Sequence, residues 1–238
     1  MALYYNSDGS FSHDDGGADK TYLSDGTELP LRASFFKRYA AIVYAEAAGT
    51  GLINQLHPGD ANIQMIREAY GIVRAMFNYM RAKNYKASLS GGSYGTNDLL
   101  NDTNQYHAIG SPNFNEFLNA PSGGDDAKRQ AVVKALIKFF TRELSSVDDI
   151  DSSGVMYWDG RDLFVKGPNH VRSQKGIELS NSGIGQLYAA QGLSISSYTA
   201  TNPSPFYSGP YLYRAVFAAG GTVFFVIHPD AVNAGIGV

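Results

Sequence analysis

The chain has no cysteine. Disulfides, thiol nucleophiles and cysteine-ligated zinc are therefore excluded. The missing bridges suit synthesis in the cytoplasm, although secreted proteins also do without them. Long apolar runs are absent as well: none approaches the roughly 18 residues that a membrane span needs, so no membrane insertion is expected. Positive charge is scarce. With 19 Lys and Arg against 22 Asp and Glu, the net charge is −3, whereas binding a phosphate backbone demands clustered cations. No nucleic-acid partner is expected. The opening residues, Met1 to Asp8, lack a basic segment followed by an apolar one, so no cleaved signal peptide is expected.

Metal and phosphate patterns are also missing. The histidines His13, His57, His107, His170 and His228 are scattered, and none forms His-x-x-x-His. His13-Asp14-Asp15 lacks the spacing of a calcium loop. No Gly-x-Ser-x-Gly elbow is present. Gly91-Gly92-Ser93-Tyr94-Gly95 lacks the Lys and Ser/Thr ending of a phosphate loop and reads as a flexible loop. No metal and no cofactor are expected.

What is present is apolar and aromatic. Hydrophobic residues make up 44% of the 238, enough for a sizeable core in one domain with or without an appendage. There are 16 Tyr, 13 Phe and a single Trp. Residues 1–30 are polar and rich in Gly and Asp, and Asp8 to Lys20 reads as a loop or mobile arm. Residues 31–238 are expected to form the folded domain.

Three long helices follow from periodicity. Leu31, Phe35, Tyr39, Ile42 and Val43 predict a helix over 31–48, with Gly49 and Gly51 as stop signals. Ile63, Ile66, Tyr70, Val73, Phe77 and Met80 form the apolar stripe of a second helix over 62–83, with Asp60 as N-cap and Asn84 at its end. Val132, Val133, Leu136, Ile137, Phe140 and Leu144 give a third over 125–145, begun by Asp125 and Asp126. A short helix follows Pro112, and Ser88 to Asn104 reads as an irregular lobe. Beyond residue 150 the period shortens. Val155–Trp158 and Asp162–Lys166 flank Gly160-Arg161 as one hairpin; Ala215–Phe217 and Thr222–Ile227 flank Gly220-Gly221 as another. The fold class is α+β: a predominantly helical body with small β-hairpins towards the C-terminus.

One residue breaks the first helix's pattern. In Ala40-Ala41-Ile42-Val43-Tyr44-Ala45-Glu46-Ala47-Ala48-Gly49-Thr50-Gly51, Glu46 is the sole charge. A carboxylate near a helix C-terminus is unfavourable for the helix dipole. A lone glutamate there is ordinarily a solvated charge. On an apolar face beside Ile42 and Val43, the alternative is that it points into a partly dry cleft, where desolvation would raise its pKa. A carboxylic acid that keeps its proton near neutral pH is what a glycosidic leaving group needs.

The order of several short blocks resembles the SleB/CwlJ-like cell-wall hydrolases of the lysozyme-like superfamily. Ile42-Val43-Tyr44-Ala45-Glu46-Ala47 looks like that family's helix with its catalytic glutamate. Ile72-Val73-Arg74-Ala75-Met76-Phe77-Asn78 looks like its second helix. Asn104-Gln105-Tyr106-His107-Ala108 is similar to its Gln-aromatic-Ser segment, and Asp151 to Trp158 to its Gly-containing stretch leading to aromatics. Gly221-Thr222-Val223-Phe224-Phe225 resembles its closing strand. The likeness spans about residues 33 to 227. It departs at His107, at Gly49-Thr50-Gly51 and in long inserts at 85–103 and 165–215.

The resemblance implies a lysozyme-like fold and cleavage of the β-1,4 bond between N-acetylmuramic acid and N-acetylglucosamine in peptidoglycan, with Glu46 as general acid/base. A lytic transglycosylase, which uses one glutamate, is the expected form; a muramidase using water and a second carboxylate is the other. Gln105, Tyr106, Tyr157, Trp158 and Tyr44 are the expected sugar-binding residues. Each also has a plainer reading as loop or core, strongest for Trp158. Asp159 is a conceivable second carboxylate but more readily a turn residue. Glu68 reads as a solvated or capping charge, and Glu178 has no supporting pattern. The expected setting is a periplasm or cell wall reached without a cleaved signal, as for an antibacterial effector or a phage lysis protein. For an effector, a cognate immunity protein would be a partner. The competing class is a non-catalytic peptidoglycan-binding or virion structural protein with the same fold. Whether residues 168–210 cover the cleft stays open.

Overall fold

The strongest periodic segments make the scaffold. In the computed structural model, which describes residues 1–120, 124–179, 197–202 and 207–237, helix α1 is Ala33–Glu46. After α2 (Thr50–Leu56) comes α3 (Ala61–Ser88), which starts one residue before and ends five residues after the expected 62–83, because the helix runs through Asn84. Helices α4 (Thr96–Leu100), α5 (Pro112–Asn119) and α6 (Asp126–Thr141) follow. The core lies where α1, α3 and α6 meet. Tyr39, Ile42, Val43, Tyr70, Val73, Met76, Val132 and Leu136 are all buried there. Each such side chain contributes roughly 1.5–3 kcal/mol of burial free energy.

Differences from the expected elements have local causes. Ile63 is exposed, since α3 begins with a turn that stands clear of the core. Helix α6 stops at Thr141 because Arg142 takes the left-handed conformation (φ 58°), leaving Leu144 outside it and exposed. Helix α1 ends before the glycines, at Glu46 with Ala47 extended, and Gly49 instead caps the start of α2, which takes in Thr50 and Gly51. Within the expected irregular lobe, α4 buries Leu99 and Leu100.

Residues 1–30 are not a free arm. They form a four-stranded sheet in the order β2-β1-β3-β4, from β1 (Ala2–Tyr5), β2 (Phe11–Asp14), β3 (Lys20–Leu23) and β4 (Glu28–Leu29). Its buried Leu3, Tyr5 and Leu29 join the main core. Gly9 (φ +92°) makes the turn between β1 and β2 against α6, where a Cβ would lie 2.1 Å from the carbonyl oxygen of Gln130.

The second sheet builds the other side of the molecule. Its order is β5-β8-β7-β6, from β5 (Tyr157–Asp159), β6 (Ile177–Glu178), β7 (Tyr213–Ala219) and β8 (Thr222–Ile227). The β7–β8 hairpin turns at Gly220-Gly221 as expected, with a bulge between Ala215 and Phe217. The first expected hairpin does not exist. Only β5 forms, paired antiparallel with β8, and Asp162–Lys166 belongs to a helix, α8 (Arg161–Lys166). Period-2 alternation over so short a run does not separate strand from helix, and β5 finds its partner 60-odd residues away. Helices α7 (Asp148–Asp151) and α9 (Val171–Gln174) complete the connections. The architecture is α+β. No described helix is long and apolar enough to cross a membrane.

Candidate active site

Glu46 is the last residue of α1, and its carboxyl enters a groove of about 510 Å³ between the helical body and the second sheet. The groove is lined by Asn104, Gln105 and His107 from the loop after α4, by Tyr157, Trp158 and Asp159 of β5, and by residues of α8 and α9 with Tyr213 of β7. Three parts of the chain distant in sequence thus converge on one carboxyl.

The carboxyl is held loosely. The indole Nε1 of Trp158 donates to Oε2 at 3.4 Å, and the Ala108 amide donates to Oε1 at 3.4 Å. Both bonds are long. Burial pushes the Glu46 pKa above its ordinary 4.5, against the opposing pull of these two donors and of His107; Asp159 adds to the rise. Among the described residues, no cation forms an ion pair with Glu46.

Asp159 is different. The Arg172 Nε donates to its Oδ2, and His170 Nε2 lies 3.8 Å from Oδ1. The Arg172 guanidinium also stands over the rings of Tyr157, Tyr213 and Phe225, 4.7–5.4 Å from their centroids. Burial raises the Asp159 pKa, while Arg172 and His170 oppose the rise. Asp159 is therefore a groove carboxylate rather than a turn residue, set at the end of β5 before Gly160 caps α8. Its ligand atoms, with those of Asp162 and His170, lie within 4.8 Å of one another, the described group best suited to a cation. Arg172 already pairs with one oxygen of Asp159.

The expected sugar-binding residues divide. Gln105, Tyr157 and Trp158 line the groove with Glu46. Tyr106 does not: it is wholly buried, its ring stacked beneath Trp158 at 5.8 Å and 12°. A ring so covered supports the groove floor and offers no face to a ligand. Tyr44 is also out of reach. Two residues before Glu46, it stands on roughly the opposite face of α1, so its hydroxyl donates to Glu116 Oε1 at 3.0 Å and accepts from the Asp125 amide at 3.2 Å. Glu178 on β6 pairs with Arg214 of the adjacent β7 and with His228, just past the end of β8. His13, Asp14 and Asp15 bond within their own strand and turn and to Tyr4 of the neighbouring β1, whose hydroxyl donates to Asp15 and whose ring stacks on His13.

Glu68 is the residue the sequence reading misplaced. It is completely buried on α3, not solvated. Its neighbours in sequence, Arg67 and Ala69, alternate between surface and core, and nothing in the local pattern marks it. Arg172, His170 and Lys175 were equally invisible as groove residues, since α9 is short and its approach to β5 is a long-range event. The span 168–210, considered as a cover for the groove, falls partly outside the described residues at 180–196 and 203–206.

Compared with models of known families, with characterised proteins and with solved structures, the chain matches none of them. What the groove can do therefore rests on its own chemistry. A carboxyl with a raised pKa can donate a proton and take one back. Two half-buried aromatics and a glutamine amide suit hydroxylated ligands with an apolar face.

Proposed function

We propose that the protein cleaves peptidoglycan glycan strands at the MurNAc-β-1,4-GlcNAc bond, within a lysozyme-like fold, using Glu46 as general acid/base. The observation that carries this reading is the contrast between the groove carboxylates. Asp159 is held by Arg172, and Asp162 by His170 at 3.2 Å and Lys166 at 3.4 Å. Glu46 alone among the three has no ion-pair partner among the described residues, and burial raises its pKa. It is the carboxyl fitted to give up a proton.

The steps follow from that. Protonated Glu46 donates to the glycosidic oxygen as the bond from the muramic C1 to that oxygen breaks. Positive charge then develops at C1. The C6 hydroxyl of the same muramic residue attacks C1, and the Glu46 carboxylate removes its proton, which regenerates the acid and leaves a 1,6-anhydro end. The ion pair on Asp159 favours this single-glutamate route over one in which a second carboxylate activates water. Trp158 and Tyr157 would flank the sugar rings, and Gln105 would bond an acetamido group.

Purified protein incubated with peptidoglycan sacculi provides the test. Soluble muropeptides ending in anhydro-muramic acid, lighter by one water than hydrolysed ends, and lost in Glu46→Gln, are expected. Hydrolysed ends would assign a muramidase. Binding without release would assign a wall-binding module and overturn catalysis; release that survives Glu46→Gln would overturn the role given to Glu46.

A further inference from the structure

The peptide bond between Ala47 and Ala48 lies one residue beyond Glu46, and two buried ionisable side chains hold its two sides. Lys128 Nζ, on α6, donates to the Ala47 carbonyl at 2.6 Å. The Ala48 amide donates to Oε2 of Glu68, on α3, at 3.2 Å. Lys128 is 5% exposed and Glu68 is 0% exposed. One peptide group thus lies between a cation at its oxygen and an anion at its N–H, aligned with its own dipole.

The other oxygen of Glu68 reaches the second sheet. Oε1 accepts from the Gly221 amide at 3.2 Å and from the Thr222 hydroxyl at 2.5 Å. Thr222 opens β8, and two residues on, Phe224 pairs with Trp158 of β5. A single carboxylate therefore links the exit of α1, which carries Glu46, to the sheet that carries the indole facing Glu46. The glycines make room for it. A Cβ on Gly220 (φ +56°) would lie 2.6 Å from Glu68 Oε2, and one on Gly221 would lie 3.0 Å from Ala48 Cβ.

Packing alone does not call for such a pair. Burying a carboxylate and an ammonium costs several kcal/mol each before their attraction offsets it, and apolar replacements are often neutral or stabilising. What the ions add is direction: they fix one peptide plane. The charged and titratable groups around them are Asp125 and Glu116, which face Lys128 from the start of α6 and from α5, and His57 at the end of α2, 2.9 Å from the Gly220 carbonyl.

We propose that Glu68 and Lys128 form a positioning clamp that sets the Glu46 carboxyl against the indole of Trp158. Its catalytic consequence rests on the reading of Glu46 as acid/base. Glu68 touches no ligand, being sealed from the groove; it acts through the backbone. Asp125 assists from the next residues, accepting from the Thr50 amide at 2.8 Å.

The only tryptophan of the chain is the natural reporter, since Trp158 donates to Glu46. Its fluorescence in the full-length protein is followed from acid to neutral pH. The step that disappears in Glu46→Gln belongs to Glu46. In Glu68→Gln and in Lys128→Met, that step is expected to move by about half a pH unit or more. On sacculi, kcat is expected to fall about 10- to 100-fold with KM within about twofold. Folded variants with a wild-type step and wild-type kcat would overturn the clamp. If Glu68→Gln does not fold, Lys128→Met decides. If the wild type releases no muropeptides, the glycan-cleaving reading fails, while the fluorescence step still decides the clamp.

Discussion

Trp158 donates its indole N–H to Glu46 across 112 positions of sequence, joining the last residue of α1 to the middle of β5. Helix end and strand edge are built by different rules, and the groove exists because the second sheet brings them together. The hydrogen bond is one of two that oppose the burial of the carboxyl, so the protonation state of Glu46 is set by tertiary contacts.

That balance predicts a pH signature. A carboxyl whose folded pKa exceeds its unfolded value stabilises the fold fully below the unfolded pKa, and the contribution disappears as pH rises through the folded one. Glu46→Gln should therefore raise the melting temperature at pH 7, and the gain should vanish below about pH 4.5, the ordinary value for this group. Calorimetry at the two pH values checks it; a variant less stable at pH 7 would contradict the burial argument.

Glu68 predicts a larger effect of the same sign. Burial pushes its pKa up to about 7 from 4.5, against the donors Thr222, Ala48 and Gly221 and the charge of Lys128. Stability should be highest below pH 4.5 and decline as pH rises through 7, by on the order of 3 kcal/mol from this group. Urea unfolding of the wild type and Glu68→Gln between pH 4 and 8 should show a steeper decline in the first than in the second.

Arg172 carries a separate prediction. With Asp159 and Arg172 both largely buried, removing the guanidinium leaves a carboxylate without its partner. Arg172→Met should cost about 3–5 kcal/mol. Adding Asp159→Asn should recover part of it, and the double-mutant cycle in urea should give a coupling well above the few tenths found for independent sites.

The N-terminal sheet is predicted to be integral to the domain. Leu3→Ala should cost about 2–5 kcal/mol, as for other buried leucines. Gly9→Ala should be at least as damaging, because its Cβ would meet the Gln130 carbonyl at 2.1 Å in a left-handed backbone. Equilibrium unfolding reads both; wild-type stability in either would mean the strands are not anchored to the core.

How much of this was legible in the chain can be seen element by element. Helical spacing placed α1, α3 and α6, because each buries a continuous stripe. The Gly220-Gly221 turn was legible from glycine between two apolar runs. Residues 1–30 were not: β1 to β4 are two to four residues long, too short for alternation to emerge from a polar background, and they are strands because Leu3, Tyr5 and Leu29 find the core. The hairpin expected at 155–166 failed for the same reason, as Asp162–Lys166 has no strand to pair with and closes into α8.

The site divides along the same line. Residue type and helical phase determine that Glu46 stands on an apolar stretch at a helix end; Gln105, Tyr157 and Trp158 follow as its companions only from the resemblance in block order. Only the tertiary structure decided that Tyr106 is floor rather than lining, that Tyr44 turns to Glu116, and that Arg172 neutralises Asp159. It also decided that Glu68 lies buried between Ala48 and Thr222. Periodicity encodes which face a residue takes on its own element, whereas burial and charge pairing depend on which other element arrives opposite it.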